Sequence, residues 1–300
     1  MITVFPAFKK LELSDKPDVD ALTKKFPSYS DFEFGSMWAW DVKGEMMVAQ
    51  IHSNLAVKFT DYLTGEPFFS LLGATNTNES VQLLLDHASS AGIKPTLRLV
   101  PEIVVATLDP SRFSMAESRE HFDYIYAIES HVSYDKPALK KVRNILSAHR
   151  RRHTGHTATL LDLSAKHADD AIADLCARWE KHKKSNISNE IPALRRFLKV
   201  APAFQYMAVG IMYGEKLAAI SVTILLSEGH CNCLFAKADI AYHGIYALLM
   251  HETAKILIQK GYQFMNYEQD LGIPNLRKAK MAFNPTYFLK KYTVAFKPSI

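Results

Sequence analysis

The chain has 300 residues, 48% hydrophobic and 22% charged, with 12 Gly, 13 Pro and a formal net charge of +5. That length exceeds what one hydrophobic core ordinarily supports and predicts two domains, while the composition excludes a disordered, collagen-like or low-complexity chain. Three cysteines, Cys176, Cys231 and Cys233, exclude a disulfide framework and predict a reducing, cytoplasmic setting.

The mild positive charge favours an anionic partner without choosing one. The N-terminal stretch lacks the unbroken apolar run of a signal peptide. The longest apolar run, Leu217 to Leu226, is about half the roughly 20 residues a membrane-crossing helix needs, so membrane contact is expected to be peripheral at most.

In chain order, a polar helix is predicted around Lys16 to Lys25, then an aromatic-rich stretch ending in a Gly turn. Short apolar runs with turn punctuation predict strands over Met46–Ile51, Leu55–Phe59 and Phe68–Leu72. Val81, Leu84, Leu85 and Ala88 carry a helical spacing that Gly92 closes, and Ile93–Val100 reads as the next strand. A strand over Phe122–Ile128 leads across a boundary placed near residue 130, giving domains 1–130 and 131–300. Beyond it, helices are expected over His167–Lys183 and Ala193–Leu198, then a hairpin of Tyr206–Met212 with Leu217–Leu226. A strand over His230–Ala236, a helix over Ile245–Lys260 and a strand over Phe264–Glu268 follow. A short helix opened by Pro274 and a closing strand Tyr287–Phe296 complete the chain. Trp38, Trp40 and Trp179 are expected in the core.

Two stretches could carry chemistry. The first, Lys136 to His153, holds many cations and no carboxylate. Wound at about 100° per residue, it sets Leu139, Val142, Ile145, Leu146 and His149 on one side and Lys140, Lys141, Arg143, Arg150 and Arg151 on the other. A charge run is usually just a solvated face, but one without compensating acids favours binding an anion such as a phosphate. His149, His153 and His156 have no acidic or thiolate neighbour in the sequence, so no metal site is expected.

The second stretch is Asn266 to Pro285. Glu268 and Asp270, two apart at a strand end, can project to one side; Arg277 and Lys280, three apart, share a helix face. Such a corner is either a salt-bridged joint or a reactive site. In a reactive site, a carboxylate orients or deprotonates the attacking group and a cation holds the developing oxyanion.

The order of hairpin, third strand, loop, helix and strand resembles the acetyltransferase-like fold, in which the loop and helix N-terminus receive a phosphate-bearing donor. Here that loop is Tyr242-His243-Gly244-Ile245-Tyr246, with one glycine where the usual acetyl-coenzyme A loop has two. The segment Glu268 to Lys280 closely resembles the E-Q-D-L-G-I-x-x-L-R-K-A-K motif of the phosphatidylglycerol lysyltransferase C-terminal catalytic domain family. Lys140-Lys-Val-Arg-Asn144 is similar to that family's K-K-x-R-N stretch, and Phe26-Pro with Ser30, Phe32 and Trp40 to its N-terminal region.

The resemblance implies an α/β architecture of two tandem GNAT (acyl-coenzyme A N-acyltransferase)-like domains, each a mixed, mostly antiparallel sheet flanked by helices. It also implies ester aminolysis or transesterification with aminoacyl-tRNA as donor. The multi-helix membrane domain of the full-length lipid enzyme has no counterpart in these residues, so the acceptor is open between a small molecule and a lipid headgroup. The catalytic set expected is Glu268, Asp270, Arg277 and Lys280. Lys140, Lys141, Arg143, Asn144, Tyr242, His243, Gly244 and Tyr267 are expected to bind substrate or donor, with tRNA entering between the halves. No cofactor is required. Two other readings stay open: an N-acyltransferase using acyl-coenzyme A, and a non-catalytic module binding RNA or an anionic membrane.

Overall fold

The computed structural model describes residues 1–61, 64–181, 189–227 and 229–298. By its internal contacts the chain divides into two units, Met1–Asp123 together with the stretch beginning at Leu289, and Tyr124–Phe288. This division differs from the expected one at residue 130. The strand Asp123–Ala127 belongs to the second sheet, and the last strand returns to the first.

In the first unit the sheet runs Lys9–Lys10, Met47–Ile51, Asn54–Thr60, Pro67–Leu72, Thr96–Pro101, Lys291–Phe296 and Phe113–Glu117. Its one parallel pair, Pro67–Leu72 with Thr96–Pro101, is connected by the helix Thr77–Ser90. That helix buries Val81, Leu84, Leu85 and Ala88 against Leu71, Leu97, Val100 and Val294, the face its spacing predicts.

The expected single strand Tyr287–Phe296 is two strands, Tyr287–Leu289 and Lys291–Phe296, one in each sheet. Lys291 fixes the second one. Its fully buried ammonium is paired with Asp31 and lies 2.7 Å from Asp123 Oδ1 and 3.3 Å from Ser30 Oγ. Burial opposes the charge, but the two aspartates more than offset it and hold the amine above its ordinary pKa.

In the second unit the sheet runs Tyr287–Leu289, Asp123–Ala127, Phe264–Asn266, His230–Ala238, Lys216–Leu225, Tyr206–Tyr213 and His156–Leu160. The expected hairpin is present, turning through Gly214. Helix Lys166–Glu180 ends before the predicted Lys183, which lies outside the described residues. Val142 and Leu146 of helix Lys140–Arg152, with Leu139 just before it, pack against Ile245, Leu248 and Leu249 of helix Ile245–Gln259.

One sheet feature positions everything that follows. The parallel pairing of His230–Ala238 with Phe264–Asn266 covers three residues on each side, ending at Asn232 and Asn266. From Cys233 onwards the two chains part. The strand predicted to reach Glu268 stops at Asn266, and Glu268 adopts φ +56, a left-handed conformation that breaks the pleat.

Candidate active site

The residues expected to carry chemistry separate into a joint and a cleft. At the joint, Asp270 is fully buried and each of its oxygens accepts two hydrogen bonds. Oδ1 takes Gly272 N at 2.9 Å and Arg277 Nη2 at 2.9 Å; Oδ2 takes Arg277 Nε at 2.9 Å and the Tyr124 hydroxyl at 2.6 Å. Burial pushes this carboxyl up, but the donors from Arg277, Tyr124 and Gly272 outweigh it and hold the group below its ordinary range. An ionised carboxylate offers about four lone-pair directions, and here all are used.

Lys280, 7% exposed, donates to the carbonyls of Tyr267 and Gln269, both at 2.5 Å. Its own carbonyl accepts from the Tyr126 hydroxyl at 2.9 Å. Arg277 and Lys280 thus share a helix face, as their spacing predicts, and both grip the loop in front of that helix. Asp270, Arg277 and Lys280 form a lock that sets the path of the chain after Asn266.

Glu268 and Asp270 do not project together. The left-handed turn at Glu268 breaks the alternation their spacing assumed, and a second at Leu271, φ +53, reverses the chain again. Asp270 turns to Tyr124 and Arg277. Glu268 is half-buried, and its charge adds to the burial that pushes the Cys233 thiol up to about 12. Burial likewise raises the Tyr267 phenol well above its ordinary value, so it keeps its proton.

The cleft gathers half of the other predicted set. Lys140, Lys141, Asn144, Arg152 and His243, with Pro137, Ala138, Ile145 and Ala148, line a space of about 580 Å³. Gly244 explains why the basic helix sits so near the loop Tyr242–Tyr246. Its φ is +86, and a Cβ there would stand 2.9 Å from Ile145 Cγ2 and 3.3 Å from the Ile145 carbonyl. His149 clamps the same contact. Its Nδ1 donates to the His243 carbonyl at 2.8 Å, which leaves Nε2 to accept from the Tyr213 hydroxyl at 2.8 Å. Tyr242 stacks on Tyr213 with ring centroids 4.5 Å apart. The exposed cations therefore stand beside the start of a 15-residue helix.

Two expectations for this helix change. Arg143 does not line the cleft; it donates to the Tyr134 carbonyl at 3.2 Å. Arg150 has a compensating acid that the local sequence hides, Glu252 of helix Ile245–Gln259, at 3.3 Å. Sequence reasoning also passed over Arg152, present in the basic run, and Tyr124, for which no local signal exists. Trp179 is only partly buried and faces a lysine, Lys237, 4.1 Å from its ring centroid. Among the described residues no group of three or more His, Cys, Asp or Glu could hold a metal ion.

A family described as phosphatidylglycerol lysyltransferase, C-terminal, matches residues 23–295, nearly the whole chain. The chain belongs to that family. No curated protein sequence matches it. Among solved structures, a conserved protein of unknown function from Bacteroides thetaiotaomicron is 24% identical, with TM-score 0.84 over 99% of this chain and 100% of that one. L-PGS from Bacillus licheniformis is 12% identical, with TM-score 0.66 over 96% and 94%. A tandem GNAT protein from the clavulanic acid biosynthesis pathway is 11% identical, with TM-score 0.53 over 98% and 99%.

These likenesses establish the fold, mixed α/β with two helix-flanked sheets of the GNAT-like kind. Family and fold together support acyl or aminoacyl transfer as the class of reaction. No helix among the described residues is long and apolar enough to cross a membrane.

Proposed function

We propose that this member of the family moves an aminoacyl group from aminoacyl-tRNA to an amine or hydroxyl acceptor, a small molecule or a lipid headgroup, with the donor's phosphates held in the cleft. The observation that carries this reading is the convergence of Lys140, Lys141, Asn144, Arg152 and His243 around one space beside the loop Tyr242–Tyr246. Cations and helix-start amides are the groups that hold phosphate, and four of these five residues are in the set the sequence assigned to the donor.

The chemistry is then divided among three places. The cleft holds the donor. Glu268, half-buried where the strands part, takes the proton of the acceptor as its nitrogen or oxygen attacks the ester carbonyl. The tetrahedral intermediate collapses with cleavage of the bond to the ribose oxygen, which leaves with a proton returned from Glu268. Asp270, Arg277 and Lys280 act by positioning, since their polar groups hold the loop that presents Glu268. Tyr267, in the same loop, keeps its proton.

The test is release of a radiolabelled amino acid from charged tRNA, followed with and without candidate amine, hydroxyl and phospholipid acceptors. Acceptor-dependent transfer is expected, and Lys140→Ala with Lys141→Ala lowers kcat/KM by roughly 10-fold to 100-fold by weakening donor binding. Turnover with acetyl-coenzyme A in place of charged tRNA, or binding of RNA without any release, contradicts the proposal.

A further inference from the structure

The chain enters the loop Tyr242–Tyr246 from the strand His230–Ala238, and the short link between them carries one acid, Asp239. Asp239 is buried and is not among the residues lining the cleft. A buried carboxylate needs donors for both oxygens, and this one draws them from two neighbouring elements and from its own turn. Oδ2 accepts from Arg178 Nε, on helix Lys166–Glu180, at 2.9 Å and from Lys216 Nζ, at the start of strand Lys216–Leu225, at 3.1 Å. Oδ1 accepts from the Ala241 amide at 3.1 Å. Burial pushes the carboxyl up, but the Ala241 amide, Lys216 and Arg178 outweigh it and hold the group below its ordinary range. Arg178 is itself fixed, since its Nη2 donates to the Leu217 carbonyl at 2.5 Å.

These contacts shape the loop. The amide of Tyr242 donates to the Asp239 carbonyl at 3.1 Å, closing a turn over Asp239–Tyr242, and the Asp239 amide ties that turn to the Ala218 carbonyl at 2.8 Å. The amide of Ile245 then donates to the Tyr242 carbonyl at 3.0 Å, where the helix begins. Lys216 bridges carboxylate and loop, because the same ammonium lies 5.2 Å from the Tyr242 ring centroid. Tyr242 is thereby held between Lys216 and the Tyr213 ring on which it stacks. The next two residues meet the basic helix: His243 lines the cleft, and Gly244 admits Ile145.

We infer that Asp239 is a positioning residue for donor binding. With Arg178 and Lys216 it fixes the turn that brings His243 and Gly244 against the basic helix, and so sets the geometry of a cleft it does not touch. The inference rests on the donor reading above. It predicts an effect opposite in sign to that of charge alone. Removing a carboxylate from a chain of net charge +5 strengthens its general attraction for RNA, the more so as Lys216 loses its partner. Removing a positioning residue weakens binding instead.

The probe is an acceptor-end RNA hairpin carrying an amino acid on its 3′ end through an unreactive amide. Asp239→Ala is expected to bind it about 3-fold to 30-fold more weakly than wild type. The slope of log affinity against log salt stays unchanged, since no phosphate contact is lost. Asp239→Asn is expected to retain part of the affinity, because its side-chain oxygen still accepts from Ala241, and it supplies the reading if urea titration shows that Asp239→Ala does not fold. Lys141→Ala, by contrast, weakens binding and lowers the slope by about 1. Binding of the folded Asp239 variants as tight as wild type or tighter, or a loss of slope like that of Lys141→Ala, overturns the role of Asp239 and leaves the transferase reading intact. Failure of wild type to bind the hairpin overturns the donor reading and this inference with it.

Discussion

Asp270 shows how far residue spacing can be pushed and where it stops. Its type and its partner Arg277 were legible in the sequence; its saturation was not, because Tyr124 arrives from 146 residues away in the chain. The same holds for Lys237, whose partners Glu190 and Trp179 come from helical segments with no local tie to it. A folded-state pKa below the ordinary 3.8 means that Asp270 contributes stability fully present above that value and lost as pH falls through the lower folded value. Asp270→Asn is therefore expected to lower the unfolding free energy by about 2–3 kcal/mol at pH 7. This is less than a fully buried pair would lose, because Arg277 is 39% exposed and still solvated. Urea titrations should show the gap between wild type and variant closing below about pH 3.8. A gap that is constant with pH would mean that the carboxylate's charge is not what holds the loop.

At the scale of elements, periodicity found most of the structure. The helix Thr77–Ser90, the central hairpin and the helix Ile245–Gln259 stand within a few residues of their predicted bounds. Their apolar spacing is strong and local. The strands Lys9–Lys10 and Phe113–Glu117 escaped notice because they are short, polar and dependent on neighbours distant in sequence. The cleft was half legible. The basic run and the Tyr242–Tyr246 loop were each visible, but their meeting depends on Gly244, where the absence of a side chain admits Ile145. Gly244→Ala is expected to cost about 1–3 kcal/mol and to weaken donor binding, since the added methyl both strains φ +86 and presses the basic helix outwards. Gly214→Ala is the control. It has φ +59 and nothing within 4 Å of the added carbon, so it carries the backbone strain alone and leaves binding unchanged. Equal effects of the two substitutions on donor affinity would show that the contact with Ile145 is irrelevant.

For the whole molecule, two domains were legible from length and their fold class from the order of elements, while the exact division was not. A strand that returns to the first sheet after the second unit is complete leaves no mark in local pattern. What places it is Lys291, an apparently surface-type residue whose two aspartates lie 168 and 260 positions back. The proposed function follows from the second unit, where Lys140, Lys141, Arg152 and His243 line one cleft beside the loop Tyr242–Tyr246, and Glu268 lies two residues past the end of the parallel pairing. The central claim, that the cleft binds a phosphate-bearing nucleic-acid donor, is tested most directly by the salt dependence of acceptor-end RNA binding to wild type and Lys141→Ala. Tight binding to wild type is expected, with log affinity falling steeply as log salt rises. Lys141→Ala is expected to bind more weakly and with a slope smaller by about 1. Identical affinities and slopes for the two proteins would contradict it.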